Sequence, residues 1–247
     1  MATVAALLSA AFDRHQSGQY EEAEALYRRI LGAEPAQPQA LHRCGLLVAQ
    51  LGRLEEADRL LARTVGVDPL AADAAVNHGK VLRALRRPAD AIRRFRHAAA
   101  LQPDLVAALE GLGHAERERG DPAAAASGYG RAALAGGGAA VFRQWGIALD
   151  EAGQPAASVE PLRHAARLDP TMASAPARLA TILLALGRPE EAAACGRRAL
   201  ALRPDHADSL RVLAVIARAA GDRRQADAGF DRLRRLNPTS ENGHRPE

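Results

Sequence analysis

Prolines recur along this chain at a fixed step. Pro35, Pro69 and Pro103 are 34 residues apart, and so are Pro170, Pro204 and Pro238. The gap from Pro103 to Pro170 is 67 residues, one step of 34 and one of 33, and Gly137 stands where the intervening proline is missing. A period in the range of about 20–50 residues marks a stack of supersecondary units, each burying its apolar face on its neighbours. The ruler divides the chain into seven units, approximately 4–37, 38–71, 72–105, 106–138, 139–172, 173–206 and 207–238. Together they form one expected solenoid domain, 1–238. The polar residues 239–247 are expected to be a disordered tail.

Four further columns hold the same register. Small residues recur at Ala11, Gly45, Gly79, Gly113, Gly146, Ala180 and Ala214, and again at Ala23, Ala57, Ala91, Ala125, Ser158, Ala192 and Ala226. A bulky column runs through Tyr27, Leu61, Phe95, Tyr129, Leu162 and Phe230, and is broken at Gly196. Gly18, Gly52, Arg86, Gly120, Gly153, Gly187 and Gly221 form a turn column, with Pro88, Pro122, Pro155 and Pro189 two residues later. A glycine closing one helix and a proline opening the next predict a helix, a tight turn and a second helix in every unit. The small columns let the helix axes approach, and the repeat proline ends the second helix.

These columns resemble the tetratricopeptide (TPR) repeat, and the resemblance covers about Val4 to Pro238. It implies an all-α fold, a right-handed superhelical α-solenoid of antiparallel helix pairs. It also implies a concave groove lined by the first helix of each pair.

Two units are expected to be weak. In unit four, Gly128 and Gly130 fall inside the second helix and Gly136–Gly138 replace its usual ending. Interior glycines cost roughly 0.5–1 kcal/mol each relative to alanine. This pattern is either a soft joint between Pro122 and Ala140 or a repeat that has lost its regularity. Unit six carries Pro176 in its first helix and Gly196 in the bulky column. Trp145, beside Gly146, reads as a core residue. In unit seven the polar faces of the last helix suit the end of a solenoid.

Composition restricts function by exclusion. The net charge is +4, with 33 basic and 29 acidic residues interspersed, and aromatics are 3%. Lys80 is the single lysine, and an arginine bias spread over a whole chain is what GC-rich coding produces. No basic run carries interleaved aromatics, so nucleic acid is not an expected partner. No stretch is long and apolar enough for membrane insertion, and Val4–Phe12 lacks the basic lead of a signal peptide. Cys44 and Cys195 lie four units apart, too far for a disulfide, which suits a reducing, cytoplasmic setting.

No stretch points to chemistry. There is no Gly-rich Lys-Ser/Thr phosphate loop and no paired-histidine zinc motif. The histidines and serines scatter, and pairs such as Glu55–Glu56 and Glu190–Glu191 read as solvated first-turn charges. The chain is therefore not expected to be an enzyme, and no catalytic, cofactor or metal residues are assigned.

What remains is a surface. By the family's register the groove residues are Leu8, Phe12, His42, Leu46, Asn77, Lys80, Glu110, His114, Arg143, Arg178 and Arg211, with Arg43 and Gln144 adjacent. The first of these are apolar and the later ones polar and mostly basic. This order suits a protein or peptide partner with an apolar anchor and an acidic segment, the carboxylates meeting arginine forks. Unselected groove residues would give the same list. His42 and Leu46 stand where one pair of the family's chaperone-binding carboxylate clamp could lie, so that subtype is not expected. Asn77 is a single rung of the asparagine ladder of O-linked N-acetylglucosamine transferase repeats. The expected function is a non-catalytic interaction scaffold or adaptor, with homo-oligomerisation open. The alternative is an accessory TPR region working with a separate glycosyltransferase or sulfotransferase, since bacterial arrays of similar opening are often fused to such domains. A secretion or envelope-assembly role is a third option.

Overall fold

The computed structural model describes residues 3–236. Among them are fourteen helices, in consecutive pairs, and no strand. The chain separates into two compact units, Met1–Ala135 and Gly136–Glu247. That boundary falls in the glycine run at the end of the fourth repeat. The expected disordered tail, 239–247, lies outside the described residues.

The first unit holds α1 (Val4–Gln16), α2 (Tyr20–Ala33), α3 (Pro38–Gln50), α4 (Leu54–Val67), α5 (Ala72–Ala84), α6 (Pro88–Leu101), α7 (Val106–Glu118) and α8 (Pro122–Leu134). The second holds α9 (Ala139–Glu151), α10 (Pro155–Leu168), α11 (Ser174–Ala185), α12 (Pro189–Leu202), α13 (Ala207–Ala219) and α14 (Arg223–Leu236). Odd-numbered helices are the first of each repeat and even-numbered the second.

Local chemistry sets these boundaries. At the end of α3, Gly52 takes φ +81°, its N–H donates to the Ala49 carbonyl, and the Arg53 N–H reaches back to Val48 at 2.9 Å. This is the left-handed cap that satisfies the last helical carbonyls. Arg86 makes the same cap at φ +59° with a Cβ attached. The second helices stop ahead of the repeat prolines: Glu34 and Asp68, each just before one, have φ near −128° and leave the helix. Pro88, Pro122, Pro155 and Pro189 open their helices at the first position.

The small and bulky columns meet inside each repeat. A Cβ placed on Gly45 would lie 2.9 Å from Leu61 Cγ, on Gly79 2.8 Å from the Phe95 ring, and on Gly113 2.8 Å from the Tyr129 ring. In the second unit Gly146 faces Leu162 in the same way, at 2.5 Å. The bulky residues Leu61, Phe95, Tyr129 and Leu162 are fully buried. Glycine in the first helix thus makes the hole that the second helix fills 16 residues later.

The irregular repeats also have packing reasons. A Cβ on Gly128 would sit 2.8 Å from the backbone nitrogen of Gly113, so this glycine brings α7 and α8 into backbone contact. It is a packing residue, which lost regularity alone does not describe. Gly196 is answered by the next repeat, where Leu213 lies 3.2 Å from the position of its missing Cβ. Trp145 is half-buried, its ring 6.2 Å from Phe142, which stacks on His164 at 4.1 Å.

Candidate functional site

In the first unit the odd-numbered helices stand side by side and are joined by side-chain contacts. His15 and Gln50 are hydrogen-bonded at 3.0 Å, the Asn77 amide donates to Nε2 of His42 at 2.9 Å, and Arg83 grips the Glu118 carboxylate with two nitrogens. Three successive helix junctions are therefore bridged at the same 35-residue spacing. The result is one continuous first-helix face across α1, α3, α5 and α7.

One end of this face sets Leu8 and Phe12 among polar side chains. Phe12 is 36% exposed, and the Arg43 guanidinium lies 3.9 Å from its ring centroid. They border a recess of about 300 Å³ whose remaining walls are Ala5, Leu8, Ser9 and Gln39. Leu46 is half-buried further along α3. The stacking leaves the Arg43 charge in place while covering one face of its plane.

The middle is a polar chain. The Tyr129 hydroxyl and Nδ1 of His114 are hydrogen-bonded at 2.8 Å, and Nε2 of His114 faces Glu110, 3.6 Å away. That contact holds the Glu110 carboxyl below its usual range, and the charge of nearby Lys80 adds to it. Burial pushes the Tyr129 phenol up to about 12, so it remains a neutral donor. Burial likewise lowers His42, keeping its ring neutral and able to accept from Asn77. Lys80 is exposed and makes no direct ion pair among the described residues.

The second unit carries the other four expected residues on α9, α11 and α13. Arg178 is bonded to Asp150 at 2.7 Å and Arg211 to Asp208 at 3.1 Å. Both were expected as forks for a partner's carboxylates; in the structure each pairs with a carboxylate of its own unit, Arg178 at a half-buried contact and Arg211 at an exposed one. Arg143 is half-buried with no carboxylate partner among the described residues, beside Gln144. Among the described residues no group of three or more His, Cys, Asp or Glu side chains could hold a metal ion, and no helix is long and apolar enough to cross a membrane. Both cysteines are free, and burial raises the Cys44 thiol to about 11.

Comparison with known proteins agrees with this architecture. Tetratricopeptide repeat profiles match residues 14–77, 76–140, 143–207 and 177–241. The chain belongs to the tetratricopeptide repeat family. No curated protein matches it. Among solved structures, the C-terminal part of a TPR repeat-containing protein from Cytophaga hutchinsonii is similar at 14% identity and a TM-score of 0.79, covering 95% of this chain and 96% of that one. Pseudomonas aeruginosa pilF is 24% identical with a TM-score of 0.66, covering 85% and 95%. YrrB, described as a TPR protein with an unusual peptide-binding site, is 19% identical with a TM-score of 0.65, covering 73% and 93%. At these identities the likeness is one of fold.

Several residues of the TPR face were missed in sequence. Gln39, Ser9, His15, Gln50, Arg83 and Glu118 all stand there. The signal was present in the repeat itself. Gln39 is one turn before Arg43, and His15 and Arg83, like Gln50 and Glu118, occupy one repeat position two units apart.

Proposed function

We propose that this TPR protein is a non-catalytic interaction scaffold whose first-helix face in α1–α7 holds an extended segment of a partner protein. The observation that carries the reading is the run of contacts from His15–Gln50 through His42–Asn77 to Arg83–Glu118, which makes four helices one surface. Side chains on that surface already engage one another, so it is ordered before a partner arrives and loses little entropy on binding. An apolar side chain of the partner enters the recess beside Leu8 and Phe12. A carboxylate next to it meets Arg43, and an acidic stretch continues toward Lys80. The two free thiols suit a reducing cytoplasm.

The test is fluorescence anisotropy with a labelled peptide carrying a leucine anchor followed by an Asp/Glu run. Leu8→Glu with Phe12→Glu removes the apolar pair; because Leu8 also packs against the core cluster of Ala11, Tyr27 and Cys44, Phe12→Glu alone, at an exposed ring, is the variant in which circular dichroism stays unchanged while affinity drops by about ten-fold or more. Equal affinity for the double variant refutes the reading. Light scattering of the free chain separates partner binding from self-association through the same residues.

A further inference from the structure

The second unit contains an apolar recess of about 490 Å³ that the first-helix face does not include. Leu184 at the end of α11, Ala193 on α12, and Val215, Ile216, Ala219 and Ala220 at the end of α13 line it. Its size lies within the range of about 300–1,000 Å³ found for ligand sites.

The repeat supplies its own reference for what is missing here. One period earlier, the positions of Ala193 and Ala220 are Val159 and Leu186. Those two side chains belong to the apolar cluster of Leu162, Leu179 and Leu183. At the junction of the last two repeats both are reduced to alanine. The recess thus lies where the preceding junction has a valine and a leucine.

The charges at its rim are also unusual. Glu190 and Arg197, both on α12 and both exposed, form no ion pair among the described residues. Their immediate neighbours are engaged: Glu191 binds Arg163 and Arg188, and Arg198 donates to the Ala166 carbonyl. Seven residues of helix separate Glu190 from Arg197, about 10 Å along the axis. An aliphatic hollow between one free acid and one free base, two turns apart, matches an amphipathic helix with its own opposite charges. A small apolar molecule would use the hollow and leave at least one charge idle.

We infer that this recess docks an amphipathic helical segment of a partner protein, seating leucine-type side chains one turn apart. An acid of that segment meets Arg197 and a base meets Glu190. The site is independent of the α1–α7 face and stands or falls separately from it.

The probes are two labelled helical peptides, one with leucines at i and i+4 between an Asp and a Lys two turns apart, the other with both leucines replaced by alanine. The intact chain is expected to bind the leucine peptide about ten-fold more tightly than its alanine copy. Ala193→Val with Ala220→Leu restores the residues of the preceding junction, so the fold is kept or strengthened while discrimination disappears. Arg197→Glu is expected to weaken the leucine peptide about three- to ten-fold without changing the thermal midpoint. Equal binding of both peptides to the wild-type chain overturns the proposal. So does discrimination that survives filling of the recess. Saturable binding of anilinonaphthalene sulfonate, lost on filling but not displaced by the leucine peptide, assigns the recess to a small molecule and overturns it as well.

Discussion

Phe95 occupies the space that a side chain at Gly111 would need: a Cβ there would lie 2.3 Å from its Cε1. Phe95 is fully buried, and it crowds Gly79 of its own repeat at 2.8 Å too. One ring thus joins two successive repeats through two glycines. Gly111→Ala gains about 1 kcal/mol of helix propensity but incurs overpacking of about 1–3 kcal/mol. The net effect is a loss, read as a lower urea midpoint. Gly66→Ala, in α4 with nothing within 4 Å of its Cβ, is expected to gain up to about 1 kcal/mol. Phe95→Leu should relieve part of the Gly111→Ala loss in a double-mutant cycle. An additive cycle rejects the direct clash.

Arg86 is the residue that closes a first helix in the left-handed region with a Cβ, at φ +59°. Its counterparts in the other repeats are glycine. The conformation costs a non-glycine residue about 1–2 kcal/mol, and glycine gives back part of that through the freedom of the unfolded chain. Arg86→Gly is therefore expected to raise stability by about 0.5–1 kcal/mol. Arg86→Val, β-branched at the same φ, is expected to lower it. A denaturation series in the order Gly, Arg, Val checks both.

His78 on α5 is 2% exposed and lies 2.6 Å from Asp58 of the previous repeat, with Nδ1 buried and without a hydrogen-bond partner. Burial lowers its pKa below the ordinary 6.5. The charges of Arg94 and Arg87 act in the same direction, and Asp58 opposes them. In the unfolded chain the ring takes up a proton as pH falls below about 6.5, while the folded ring stays neutral until its lower pKa is reached. The stabilising contribution is complete above the unfolded value and is lost as pH falls through that window, by up to about 1.4 kcal/mol per pH unit. His78→Gln keeps a donor for Asp58 but cannot titrate. Its midpoint should fall less between pH 7.5 and 5.5 than the wild type's. Parallel falls would show that other groups, His42 among them, carry the effect.

The repeat architecture was legible because its signals are redundant. Proline, turn glycine and small residue each report the same 34-residue period, so the failure of one, as at Arg86 or Gly137, costs little. The face was less legible because a register places a side chain without naming its partner. Leu8, Phe12 and Arg43 come together as expected of neighbouring positions, but the stacking of Arg43 on Phe12 depends on rotamers. Arg178 illustrates the same limit. Its position is set by the repeat, whereas its neutralisation by Asp150 depends on a residue 28 positions earlier that no column marks. Gly128 reads as a defect in isolation, and its role appears once Gly113 is seen against it.

Arg143 and Arg178 therefore separate under charge reversal. Arg178→Glu places a carboxylate against Asp150 at a half-buried contact that now measures 2.7 Å. Loss of the pair and like-charge repulsion are expected to reduce stability by about 1–2 kcal/mol. Arg143 holds no carboxylate among the described residues, so Arg143→Glu should leave the stability within about 0.5 kcal/mol of wild type. If the second unit's first-helix face also receives an acidic segment, Arg143→Glu lowers affinity for a poly-glutamate peptide and flattens its salt dependence. The two readouts are a thermal melt and a titration at two ionic strengths. A melt that drops equally for both variants would mean that Arg143 also supports the fold. An unchanged titration would remove the second unit's face from acid recognition and leave Arg43 and Lys80 to carry it.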